Sequence, residues 1–214
     1  MKKKLWISLG LLFAFVMWTA AVKLVDLGAI GPNGSIVGFS ALNRFVHSLT
    51  GVNFTLYTIT DWLGLVPVFV CLCFAALGLI QWIRRKSICK VDADILLLGG
   101  FYIVVITVYM LFETVVINYR PVLINDFLEA SYPSSTTMLV LCVMPTAVLQ
   151  VNHRIQSRIW KTCINTAILV FIAFMVIGRL LSGVHWFTDI VGGGLLSAGL
   201  VLLYHELPCW REEQ

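Results

Sequence analysis

Near the end of an apolar chain stands the stretch GRLLSGVHWFTD, residues 178–189. It holds an arginine, a histidine and an aspartate: Arg179, His185 and Asp189. A carboxylate that holds one imidazole N–H presents the other ring nitrogen as a nucleophile. His185 and Asp189 are four residues apart, so they share a helical face if the helix has begun by His185. A neighbouring guanidinium offers forked donors suited to phosphate oxygens. The chemistry within reach is attack on a phosphoryl group held by cations.

Two other segments carry matching residue types. ETVVINYRP, residues 113–121, brings Glu113, Arg120 and Pro121. YPSSTT, residues 132–137, brings Ser134, Ser135 and Thr136 behind a proline. The second reads as a helix start rich in capping hydroxyls, and such a start, with free amides and a positive dipole end, attracts anions. Singly, a hydroxyl-rich cap, a snorkelling arginine or an i,i+4 ion pair needs no function. Their convergence on one side of the molecule does need one.

The elements that must position these residues are membrane spans. Of 214 residues, 59% are hydrophobic and 12% charged, with mean hydropathy +0.92. A soluble domain of this size carries roughly a quarter charged residues, so the composition points to a polytopic membrane protein in one domain, 1–214. Apolar runs at 5–25, 62–83, 95–116, 134–151, 163–181 and 186–204 predict six spans, the first an uncleaved span instead of a signal peptide. Residues 26–60 alternate apolar and polar at helical spacing, which predicts a short interfacial helical segment after the first span. The small residues of GGGLLSAG, 192–199, predict a close helix contact. The fold class expected is therefore all-α, a six-span helical bundle.

Six spans place eleven lysines and arginines on the side of the termini and four on the other (Lys23, Arg44, Arg120 and Arg179). By the positive-inside rule the termini are cytoplasmic, and the three chemical segments face outside. The net charge of +4 calls for no nucleic-acid partner. None of the six cysteines forms a CxxC pair, and they read as small buried hydrophobes. The seven tryptophans read as an interfacial belt, and Arg44 and His47 as surface residues.

The three segments together resemble the type-2 phosphatidic acid phosphatases, whose fold is shared with the vanadium haloperoxidases. That family's motifs read KxxxxxxRP, PSGH and SRxxxxxHxxxD. Arg120-Pro121 match the end of the first, Pro133-Ser134 the start of the second, and Arg179, His185 and Asp189 the third at its full spacing. The resemblance implies that His185 becomes phosphorylated and that Asp189 orients it. It also implies that Arg120, Arg179, Ser134 and the amides of Ser135 and Thr136 hold the phosphate, with no metal or other cofactor required. Three positions depart from the pattern: Glu113 stands for the lysine, Thr136 for the leaving-group histidine and Gly178 for the serine. Glu113 is thus a candidate substitute acid or modulator, free to pair with Arg120 or to lie protonated.

The function expected is a membrane lipid phosphatase acting at the outer leaflet through phosphohistidine, on a lipid phosphate or a prenyl diphosphate. Its partners are then membrane lipids. The alternatives are an altered relative that binds phospholipid headgroups, or one that transfers the phosphoryl group to an acceptor other than water. A small transporter fits less well, because there is no internal repeat and no charge in mid-span.

Overall fold

The computed structural model describes residues 2–206, so Cys209, Trp210 and Arg211 lie outside the described residues. Helix α1 (Lys2–Leu24) is followed by a short hairpin of β1 (Gly28–Ala29) and β2 (Ile36–Val37), paired antiparallel. Then come α2 (Ser40–Thr50), α3 (Phe54–Leu63), α4 (Leu65–Arg85), α5 (Ala93–Thr114), α6 (Ser135–Arg154), α7 (Arg158–Leu181) and α8 (Phe187–His205). Among the described residues, six helical stretches are long and apolar enough to cross a membrane: 3–24, 54–85, 93–114, 135–154, 158–181 and 187–205. The chain is a helical multi-pass bundle, as expected.

Two details differ from the expectation. Residues 26–60 hold the small hairpin as well as helices. The second apolar stretch also starts earlier, because α3 runs into α4 with only Gly64 between them. Asn53 caps α3 by accepting the Leu56 N–H at 2.9 Å, so the chain turns helical before the hydrophobic run begins.

Helices α6 and α8 form the centre, and α1 lies along α8. The glycine-rich stretch of α8 makes the close contacts that its small residues predict. A Cβ at Gly199 would sit 2.7 Å from Leu12 Cδ2, and one at Gly192 would sit 2.6 Å from the Tyr132 ring. Ser8 adds a buried hydrogen bond to the Gly199 carbonyl at 2.7 Å. Tyr132, Met138, Val143, Leu196 and Tyr204 fill the core between α1, α5, α6 and α8.

The bundle is clamped at the end carrying the loop between α4 and α5. Arg154 of α6 reaches buried Asp94 of α5 at 2.5 Å, and His153 lies 3.4 Å from the same carboxylate. Asp92 takes Arg85 and Gln81 of α4, each at 2.7 Å. Those pairs hold the Asp92 carboxyl below its usual pKa, with the Arg85 hydrogen bond as the largest cause. The cysteines depart from the buried reading. Among the described cysteines only Cys142 is buried; Cys71 is half-buried, and Cys73, Cys89 and Cys163 are exposed. The outer face of a membrane bundle is itself apolar, so a small hydrophobe there need not be interior.

Candidate active site

Everything that builds the site lies at the opposite end of the bundle, at the ends of α3, α5 and α7 and the starts of α6 and α8. The connection from α5 to α6 folds back on itself, with bridges Tyr119–Ala130 and Ile124–Phe127. Backbone hydrogen bonds from Arg120 N–H to Glu129 O and from Ser131 N–H to Asn118 O fix its register. Asn125 and Asp126 occupy positive φ at its tip, which short polar side chains tolerate. The hairpin thereby aligns Asn118, Arg120, Glu129 and Ser131. Across from it, α7 ends at Leu181 and a tight turn carries His185 to α8. Gly183 in that turn has φ +66°, and a Cβ there would run into the Gly51 carbonyl.

His185 is buried, and it precedes the first turn of α8 instead of lying on it. Its Nδ1 is 3.1 Å from the Ser131 carbonyl oxygen and 3.7 Å from Asp189 Oδ2. This corrects the shared-face reading: the nearest acceptor for the ring N–H is a hairpin carbonyl, with the carboxylate behind it. Asp189 instead accepts the Trp186 N–H at 2.9 Å, which caps α8 and fixes the carboxylate. The side chains of Ser131 and Asn118 lie beside Asp189, close but outside ideal hydrogen-bond geometry. No sequence spacing relates Asn118 and Ser131 to the 178–189 stretch. Only the folded hairpin does.

Nδ1–H donating to Ser131 leaves Nε2 with its lone pair, and two guanidiniums face it. Arg120 Nη1 is 3.5 Å away and Arg179 Nη2 is 3.4 Å away. Burial, then Arg120, then Arg179 push the His185 pKa well below the ordinary value, while the Ser131 bond opposes them. The imidazole is therefore neutral and its Nε2 nucleophilic near neutral pH.

Each arginine also meets a carboxylate. Arg120 Nε pairs with Glu129 Oε2 at 3.0 Å, and Arg179 Nη1 lies 3.5 Å from Asp61 and 3.4 Å from the Thr60 hydroxyl. Glu113 neither pairs with Arg120 nor lies buried: the hairpin register sets Glu129 opposite Arg120, and Glu113 is exposed on the last turn of α5. Ser134 is buried as the N-cap of α6, with its own N–H bound to the Asp189 carbonyl at 3.1 Å. Ser135 and Thr136, half-buried, begin the helix and line the adjoining cavity. Trp186 departs from the belt reading: it is buried, and its indole N–H donates to the Tyr119 carbonyl at 2.8 Å. His47 is likewise tied in, with Nε2 3.1 Å from the Gly183 carbonyl, while Arg44 is exposed.

A cavity of about 1020 Å³ opens beside the arginines. Arg120, Arg179, Asp61, Glu113, Glu129 and Thr136 line its polar end. Leu65, Val68, Val105, Ile106, Leu139 and Val143 line the rest, between α4, α5 and α6. His185 faces a small pocket that shares Tyr109, Glu113, Ala130 and Ser135 with the large one. Among the described residues no group of three or more His, Cys, Asp or Glu side chains converges as a metal site.

Comparison with known proteins agrees with this fold. A family profile described as the PAP2 superfamily matches residues 65–212. A similar solved structure is the transmembrane PAP2-type phosphatidylglycerolphosphate phosphatase from Bacillus subtilis. It is 20% identical, with a TM-score of 0.63, over 92% of this chain and 93% of that one. A search of curated proteins finds no match.

Proposed function

Because the chain belongs to the PAP2 superfamily, we propose that it is a membrane lipid phosphatase that works through a phosphohistidine at His185. One observation carries the reading. A neutral imidazole with Nδ1 anchored presents Nε2 between two guanidiniums, beside a cavity with a polar head and apolar walls. The headgroup phosphate sits on Arg120 and Arg179, helped by the amides of Ser135 and Thr136, and the hydrocarbon tail runs between α4, α5 and α6.

Nε2 attacks phosphorus in line, the P–O bond to the leaving group breaks, and phosphohistidine forms. The imidazolium that results is balanced by Asp189 and by the Ser131 carbonyl. Water then attacks the phosphorus and gives up a proton to solvent, the N–P bond breaks, inorganic phosphate leaves and neutral His185 is restored. The arginines supply positive charge where negative charge develops, so the steps rest on residues of this chain. The site faces outside the cytoplasm and both termini face in, a reading supported by the distribution of lysine and arginine.

The leaving group narrows the substrate. Thr136 has no proton to donate as an imidazolium would, and an expelled alkoxide is strongly basic. A phosphate expelled from a diphosphate, with an ionisation near pKa ~6, departs without an acid. A prenyl diphosphate or another lipid diphosphate is thus the preferred substrate, and Glu113, which lines both pockets, is the candidate acid for a monoester. Phosphate release from a panel of lipid monophosphates and prenyl diphosphates tests this. Release that His185→Ala abolishes supports the enzyme. Headgroup binding with no release from any substrate replaces it with a binding protein.

A further inference from the structure

Both phosphate-binding arginines face one imidazole nitrogen, and two guanidiniums drawn to one point repel each other. Glu129 and Asp61 lie beside them and offset part of that charge. An aromatic ring makes a second contact with both. The Arg179 guanidinium carbon lies 5.1 Å from the centroid of the Tyr57 ring, and that of Arg120 lies 5.9 Å from the same centroid. Both distances fall within the roughly 6 Å reach of a cation–π contact. The ring attracts positive charge through its face, so it steadies both guanidiniums and leaves their donors free. Tyr57 belongs to α3, as do Thr60 and Asp61, which touch Arg179. All three precede residue 65, where the family match begins.

Gly178 sets how close α3 can come. A Cβ at that position would lie 2.8 Å from Thr60 Cγ2 and 3.7 Å from Leu56 Cδ1. The Thr60 methyl has little freedom to yield, because Thr60 is buried and its hydroxyl is bound to the Leu56 and Tyr57 carbonyls at 2.9 and 3.0 Å. Gly178 stands where the resembling motif has serine, so this departure and the approach of α3 belong to one feature.

We propose that Tyr57 is a positioning residue that seats both phosphate-binding arginines on one aromatic ring, and that Gly178 admits α3 to that position. The proposal rests on the phosphate site described above. It is tested with the purified full-length chain by vanadate inhibition and by kcat/KM on a prenyl diphosphate. Tyr57→Leu weakens vanadate at least about tenfold, whereas Tyr57→Phe, which keeps the ring, stays within about threefold of wild type. Gly178→Ser weakens vanadate as Tyr57→Leu does, and adding Thr60→Ser, which removes only the methyl, restores it. Unchanged vanadate affinity in Tyr57→Leu overturns the proposal, as does a Tyr57→Phe variant as impaired as Tyr57→Leu. If Tyr57→Leu does not fold, failure of Thr60→Ser to rescue Gly178→Ser overturns it equally. A wild-type protein with neither phosphatase activity nor vanadate binding overturns the phosphate reading itself, and this proposal with it.

Discussion

The reactivity of His185 depends on which of its neighbours carry charge. With its pKa held well below the ordinary ~6.5 by burial and by Arg120 and Arg179, the imidazole stays neutral where an ordinary histidine would gain a proton. The acidic limb of kcat/KM for His185 therefore lies below the normal histidine range. Arg120→Gln removes one depressing charge, so the limb moves up toward ~6.5 while phosphate affinity drops by about 1.5–3 kcal/mol. A pH–rate profile of the two proteins checks both effects, and an unmoved limb would separate Arg120 from the nucleophile. Thr136 gives a second prediction. General acids contribute ~10²–10⁴-fold where the leaving group is basic. Thr136→His accordingly raises lipid monophosphate hydrolysis more than diphosphate hydrolysis, and equal gains on both would show that leaving-group basicity is not the limit. The residues with a fixed spacing, Arg179, His185 and Asp189, were legible in the sequence. Asn118, Ser131 and Glu129 were not, because their roles arise from a hairpin register that no local pattern encodes.

Among the elements, the long apolar helices could be read from composition because a bilayer demands runs of about 20 residues. The hairpin between α5 and α6 could not be read, and neither could the role of α3 at the site. Both owe their places to long-range partners: His185 and Trp186 for the hairpin, and Gly178 for Thr60 of α3. The start of α8 was legible only in part. Asp189 acts first as its cap, through the Trp186 amide, so His185 sits two residues before the helix. At the far end, the Asp94–Arg154 clamp ties α5 to α6 without touching the site. Asp94→Ala leaves Arg154 without that partner and costs about 1.5–3 kcal/mol, a fall of roughly 2–4 °C in thermal midpoint per kcal/mol for a chain of this size. Vanadate affinity of the folded protein is unchanged by it. A variant equally stable but weaker for vanadate would mean that the clamp shapes the cavity.

For the whole molecule, the asymmetry of basic residues predicts that the hairpin tip and the loop between α6 and α7 lie on opposite sides of the membrane. Phe127 is exposed at that tip, and Ser157 caps α7. In a background with the native cysteines replaced, an impermeant thiol reagent applied to intact cells labels Phe127→Cys and not Ser157→Cys. The reverse pattern would turn the enzyme over and put its substrate in the cytoplasmic leaflet. In the proposed mechanism, topology, cavity and arginines all serve one step, transfer of the phosphoryl group to His185. Rapid quenching of the purified protein with a lipid diphosphate labelled at its terminal phosphate tests that directly. The expected result is label on the protein that is lost in acid, survives alkali, decays as phosphate is released, and is absent from His185→Ala. Phosphate release that persists in His185→Ala, or label that survives acid, would contradict it.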